Sequence, residues 1–213
     1  MAVTQTDINI YNACLARLGR DPITSFDDGS PAADLGKSQY EIIRDAEASR
    51  YIYAFNKQQT TLSLETELDP ARNHWRFKWF MPDDMLSSGP RAVVTAGGIL
   101  ARNEVAFDVV GGRILTNNNN VDAVYPRRVD ASEFSDLFKR ALILVLAEEF
   151  CLALTESERK LAVITNQLRG PGGLYNDMVA SEALNKPGGG FTANPLLDAR
   201  NSAFSFDPVL EGY

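Results

Sequence analysis

Residues 130–151 read DASEFSDLFKRALILVLAEEFC, and the rest of the chain can be placed from them. Phe134, Leu137, Phe138, Ala141, Leu142, Val145 and Leu146 recur at the i, i+3, i+4, i+7 spacing of a helix with one face on a core. Over residues 141–147 every position is apolar, so this part of the helix has no wet face and must lie between neighbours. Asp130 precedes Glu133 by three residues, the spacing of a capping box with Asp in the cap position, and predicts the helix start there. A helix covered on all sides needs other elements to cover it.

Three further helices supply them. Residues 6–18 place Ile10, Cys14 and Leu18 at i, i+4, i+8, with Tyr11 and Leu15 alongside. Gly19 then suits a left-handed helix end, and Pro22 forbids continuation. A second helix opens at Ser30-Pro31, a cap followed by proline at the first helical position, and runs to about Tyr53. Its buried face is expected to follow Leu35, Gln39, Ile42, Ile43 and Ala46. Past the apolar helix, another begins near Thr155 and carries Leu161, Ile164 and Leu168. Gly170-Pro171-Gly172-Gly173 breaks or bends it before a further helical piece over residues 174–184.

Between the second and third helices the period shortens towards two. Residues 60–67 alternate, and residues 74–80 read HWRFKWF, aromatic and basic in turn. Residues 92–95, 104–110, 113–116 and 121–125 are short strand candidates. Gly97-Gly98 and Gly111-Gly112 supply hairpin turns, and residues 117–120 form a polar loop tip. Strands gathered apart from the helices indicate the α+β class. The expected architecture is an antiparallel α-helical bundle (residues 1–58 and 129–185) with an inserted small antiparallel β region (59–128) and an extended C-terminal arm (186–213). A flexible linker, NKPGGG over residues 185–190, leads into the arm. The arm has no sustained period, yet it carries Phe191, Leu196, Leu197, Phe204, Phe206, Val209, Leu210 and Tyr213. A disordered tail should be poor in such residues. An arm that buries them on another subunit explains them better than a terminus folded back on its own domain.

Composition narrows the functional classes. No run approaches the roughly 18 apolar residues of a membrane span, and the opening MAVTQTDINI lacks a signal peptide's basic and apolar regions. The sequence therefore predicts a soluble protein made in a cytoplasm, with no membrane partner. A net charge of −7 argues against coating nucleic acid by neutralising phosphates, but suits a wall past which DNA slides without sticking.

Catalytic, cofactor and metal residues are expected to be absent. His74 is the only histidine, so any Ser-His or Cys-His mechanism would have to use it. Asp27-Asp28 and Asp83-Asp84 are adjacent acids in turn-like settings, Cys14 and Cys151 lie in apolar helical patterns as core thiols, and no Cys/His cluster has metal spacing. The glycine pairs match no phosphate-cradling motif. Trp75, Phe77 and Trp79 could stack on single-stranded nucleic acid, although such alternation more often marks one packed and one wet face of a strand. Arg127-Arg128, just ahead of the apolar helix, is a surface pair or a contact to a neighbouring subunit or to passing DNA.

The order of these features matters. Asn12-Ala13-Cys14-Leu15-Ala16-Arg17-Leu18-Gly19 followed by Asp21-Pro22-Ile23-Thr24-Ser25-Phe26 resembles the opening of the tail tubular protein A, or gatekeeper, family of podoviruses, with its phrase N-x-x-L-x-x-x-G-x-x-P-[IV]-x-[ST]-[LF]. Tyr53-Ala54-Phe55-Asn56 looks like that family's W-x-F-N exit from the second helix, with Tyr53 in place of Trp. The specific residues are confined to about residues 10–56; in layout the resemblance spans the chain. The Gly170–Gly173 break departs from the longer fourth helix expected. The resemblance implies a virion protein of the head-to-tail connector, a dodecameric ring docked below the portal protein. The bundle would form the ring wall, and the arm (Phe191, Leu196, Leu197, Phe204, Phe206, Leu210, Tyr213) would grip the portal. The β insertion would face tail nozzle or tail-fibre proteins, and genomic DNA would pass through the channel without sequence-specific binding. A head-completion connector of a long-tailed phage or gene transfer agent is the nearest rival, and a single-stranded nucleic-acid-binding module is the rival from another class.

Overall fold

The computed structural model describes residues 3–69, 72–97 and 104–184. The expected linker and C-terminal arm, with Phe191, Leu196, Leu197, Phe204, Phe206, Leu210 and Tyr213, lie outside the described residues. So does Gly98 of the first hairpin turn.

The first helix, α1 (Gln5–Leu18), starts on a reciprocal capping box. The Thr4 hydroxyl accepts the Asp7 N–H, and the Asp7 carboxylate accepts the Thr4 N–H at 2.8 Å. It ends where expected, with Gly19 left-handed at φ 70° and the Arg20 N–H on the Leu15 carbonyl at 2.9 Å. Helix α2 (Pro31–Arg50) opens on Ser30, whose hydroxyl accepts the Ala33 N–H at 3.2 Å.

The expected burial of α2 is on the wrong side. Ala33, Gly36, Tyr40, Arg44 and Ala48 are buried. Gln39, Ile42 and Ala46 face outward, while Leu35 and Ile43 are half-buried. The inward face uses small residues for close approach and two polar residues that have a buried partner, so an apolar pattern cannot reveal it. Gly36 marks the tightest point: a methyl group there would stand 2.5 Å from the Phe26 ring and 2.9 Å from that of Tyr11. Both rings are buried, and the Tyr11 hydroxyl is held on the Ala32 carbonyl at 2.6 Å. Gly36→Ala is therefore expected to lower stability by about 1–2 kcal/mol, the overlap exceeding the gain in helix propensity. Urea unfolding would show the loss, and an unchanged midpoint would contradict the close crossing.

Among the described residues, eight short strands separate α2 from the apolar helix. They are β1 (Lys57–Thr61), β2 (Leu64–Glu67), β3 (Phe77–Phe80), β4 (Ala92–Thr95), β5 (Glu104–Val105), β6 (Phe107–Val110), β7 (Arg113–Thr116) and β8 (Val121–Pro126). They form two antiparallel sheets, β1-β8-β4-β5 and β2-β3-β7-β6. Residues 60–67 are thus not one strand: the chain changes sheets at buried Leu62. Residues 104–110 divide in the same way. Leu62, Phe77, Trp79, Val93, Ile114, Val121, Ala123 and Tyr125 from the two sheets form a shared core. The β6–β7 hairpin turns on Gly111 (φ 58°) and Gly112 (φ 71°), and two positive φ values suit a type I′ turn.

The apolar helix, α3 (Asp136–Thr155), starts later than expected. Ser135 caps it by accepting the Phe138 N–H at 3.3 Å. The Asp130–Glu133 box does not form. Residues Ala131–Glu133 make a single 3₁₀ turn without a side-chain cap bond, and the Glu133 carboxylate is taken by Arg127 at 2.7 Å. Phe138, Ala141, Leu142, Leu144, Val145, Leu146, Ala147, Phe150 and Cys151 are buried, as the all-round apolar run requires. Helix α4 (Glu158–Arg169) follows after Glu156 turns left-handed (φ 52°), and α5 (Leu174–Leu184) follows the glycine break. Helices α1, α2, α4 and α5 all touch α3. The result is a mixed α+β structure with antiparallel sheets. Among the described residues, no helix is long and apolar enough to cross a membrane.

Candidate functional site

The most heavily hydrogen-bonded buried charges lie between α1 and α2. Asp7 and Arg44 have side chains only 1% and 3% exposed. The Asp7 carboxylate accepts from Thr4 on one oxygen, and from the Tyr40 hydroxyl (2.9 Å) and Arg44 guanidinium (3.1 Å) on the other. Burial alone would raise its pKa, but hydrogen bonds from Thr4, Tyr40 and Arg44 outweigh that and hold it below the usual carboxylate value. Arg44 continues to Asp45 at 2.9 Å, and Asp45 meets Arg128 at 3.0 Å. A chain of alternating charge thus runs from the start of α1 through α2 to the β8–α3 junction.

Arg127 and Arg128 are therefore paired within the chain, to Glu133 and Asp45. Their side chains remain 33% and 49% exposed. Their backbone N–H groups donate to the carbonyls of Asn56 and Asp84, each at 2.8 Å. Arg91 adds a second tie, donating to the Ser49 and Arg50 carbonyls at the end of α2. Asn56, fully buried, accepts the Tyr53 N–H at 2.9 Å and donates to the Ala48 carbonyl at 2.7 Å. Asn12 works similarly, bonding both the N–H and the C=O of Ile23 at 2.8 and 2.9 Å. Both asparagines belong to the phrases that carried the resemblance; their physical role is to fix the exits of α1 and α2.

Among the described residues, the side chains weighed for chemistry do not gather into one site. His74 is exposed, its ring edge-on to Trp75 at 5.0 Å. Among the described residues, no group of three or more His, Cys, Asp or Glu is arranged to hold a metal. Cys14 and Cys151 are buried free thiols, and burial, with Cys151 nearby, pushes the Cys14 thiol up to about 12. Asp28 caps the turn at Ser30, and Asp84 accepts the Tyr125 hydroxyl at 2.8 Å. Phe77 and Trp79, needed for base stacking, lie in the sheet core, with the Trp79 indole N–H on Thr116 at 3.1 Å. Only Trp75 of the three is partly open, so this strand offers no stacking platform.

Surfaces, rather than a cleft, remain. On the outer side of the second sheet, Phe80 is 45% exposed and lies 4.9 Å from the Arg113 guanidinium, beside exposed Val110. Glu65 bridges Arg113 and Lys78 across that face at 2.7 and 3.4 Å. On the helical side the outer face of α4 carries a shallow, open depression of about 680 Å³, lined by Glu158, Leu161, Ala162, Thr165, Asn166 and Arg169, with Leu152 of α3 at its edge. Sequence reasoning did not single out this depression, because an open helix face carries no motif. It also missed Asp7 and Arg44, for which the only sequence signal was the Thr4–Asp7 spacing ahead of an apolar run. Comparison with protein-family models finds no matching family, and a search of the curated proteins finds no related sequence.

Proposed function

We propose that this chain is a head-to-tail adaptor of a short-tailed bacteriophage, a ring subunit that joins the portal to the tail and lets DNA pass. The observation that carries the reading is the way the residues of the resemblance are used. Asn12 and Asn56 clamp the exits of the first two helices, and a sandwich of two antiparallel sheets follows directly, ahead of an all-apolar helix. In this reading the five helices form an antiparallel bundle that is the ring wall, and the two sheets face the nozzle and fibre proteins. The channel needs no base readout, and a net charge of −7 keeps the duplex from adhering. Residues 186–213 supply the portal grip through Phe191, Leu196, Leu197, Phe204, Phe206, Leu210 and Tyr213. Ordering such a segment costs conformational entropy on docking. A portal ring that presents its sites close together raises the effective concentration for each later subunit.

Removing residues 190–213 tests this. The truncated protein should keep its circular dichroism and lose portal binding in a pull-down. Binding retained by the truncated chain would sink the proposal.

A further inference from the structure

Among the described residues, the Tyr53 hydroxyl is the one buried side-chain polar atom without a hydrogen-bond partner. The rest of Tyr53 is committed: its N–H is bonded to Asn56, and its ring packs on Phe55 and Phe138. Next to it lies the polar contact that holds α5. The Tyr175 hydroxyl, in the first turn of α5, donates to the Glu47 carboxylate at 2.8 Å and accepts from Arg50 at 2.7 Å. The Tyr175 ring lies under the guanidinium groups of Arg50 at 5.5 Å and Arg169 at 5.7 Å. Tyr51 joins the two tyrosines, its ring 6.5 Å from that of Tyr175 and 6.0 Å from that of Tyr53. Burial raises the Tyr53 phenol above its ordinary value, and Tyr175, Glu47 and Tyr51 raise it further, so it stays a protonated donor with nothing to donate to.

We propose that α5 is a hinged strap with a docked and a released state, latched by Tyr175 and biased towards release by the unbonded Tyr53 hydroxyl. A pivot is present: Gly170-Pro171-Gly172-Gly173 joins α5 to α4, and Gly172 is left-handed at φ 72°. Little apolar area holds the strap down. Met178 is the one α5 side chain buried among the described residues, and Leu174 and Tyr175 are half-buried. The latch opens without stranding a charge, because Arg50 already pairs with Glu47 at 3.2 Å and Arg169 keeps Glu148 at 2.8 Å. Release lets water reach the Tyr53 hydroxyl, which docking leaves unbonded. Segments held by few buried contacts open locally, well before the whole domain unfolds. Residues 185–213 follow α5 directly, so the state of the strap sets how far from the helices they begin. The device needs no partner and stands apart from the adaptor reading.

Hydrogen exchange read by mass spectrometry on the full chain tests it, with residues 174–184 compared against residues 141–147 of α3. The α5 amides of the wild-type chain should exchange at least roughly a hundredfold faster than those of α3, through local opening. Tyr175→Phe, which removes the latch hydroxyl, should speed α5 exchange roughly fivefold or more and leave α3 unchanged. Met178→Ala should act in the same direction. Tyr53→Phe should do the opposite and slow α5 exchange by a similar factor, because it removes only the unbonded hydroxyl. An α5 that exchanges no faster than α3 would overturn the proposal, since the helix would then open only with the whole domain. So would α5 exchange that Tyr175→Phe leaves unchanged or slows. Unchanged or faster α5 exchange in Tyr53→Phe would overturn it too, because the hydroxyl would then not oppose docking.

Discussion

Asp7→Ala is expected to lower the unfolding free energy by about 3–5 kcal/mol, because it leaves the Arg44 charge buried with only one of its two acidic partners. The same change removes the reciprocal cap of α1 and the acceptor of the Tyr40 hydroxyl. For a domain of this size the loss corresponds to a fall in Tm of roughly 6–20 °C. Replacing both charges together, as Asp7→Leu with Arg44→Met, should cost much less, since no uncompensated charge remains inside. Chemical denaturation of the single and double variants separates these outcomes. Equal losses would show that the ion pair is not what holds the site. The pH dependence follows from the direction of the shift. The folded-state pKa of Asp7 lies below its unfolded value of 3.8, so its contribution is complete above that value. It is lost as pH falls through the lower, folded value. Wild-type stability should therefore fall at acid pH with a component that is missing in Asp7→Leu/Arg44→Met.

The second large effect is expected at Phe138. Its ring is 1% exposed and lies 4.9 Å from those of Tyr53 and Phe134 and 5.0 Å from that of Phe55. Phe138→Ala empties the centre of this aromatic group and should cost about 3–5 kcal/mol, a transfer loss plus the cavity left behind. The site cannot collapse easily. Tyr53 is fixed through Asn56, and Phe134 sits in the constrained turn before α3. Phe138→Leu, which fills part of the space, should recover a portion of the loss. A cost below about 1 kcal/mol in Phe138→Ala would mean the surrounding rings close the gap and are not held as described. The position matters for the proposed function because it ties the end of α2 to the start of α3, the two points where the β region enters and leaves the helices.

How far the sequence could be read depended on which force shaped each element. The run over residues 141–147 is apolar on every side because α3 is covered on every side, so a single physical cause left a single legible pattern. Gly19, Ser30-Pro31 and Gly111-Gly112 were legible because backbone geometry restricts which residues fit there. The α2 face was misread because Ile42 and Ala46 make the stronger apolar pattern while Tyr40 and Arg44 take the inside, where Asp7 satisfies them. Pair satisfaction over 33 and 37 residues leaves no local trace. The Asp130–Glu133 spacing misled for a related reason: a cap spacing forms only if its acid is free, and Glu133 serves Arg127 instead. The division of residues 60–67 between two sheets follows from a corner at Leu62 that alternation cannot show. Of the site, the asparagines in the two helix-exit phrases were on the page from the start, but only their bonds to Ile23, Tyr53 and Ala48 explain why asparagine stands there.

The central claim is that the chain joins a portal ring, and light scattering after size exclusion tests it most directly. The protein is run alone and then mixed with the candidate portal ring. Either a ring of this chain or a monomer that elutes with the portal complex is expected. A monomer that leaves the portal's mass and elution unchanged would contradict it.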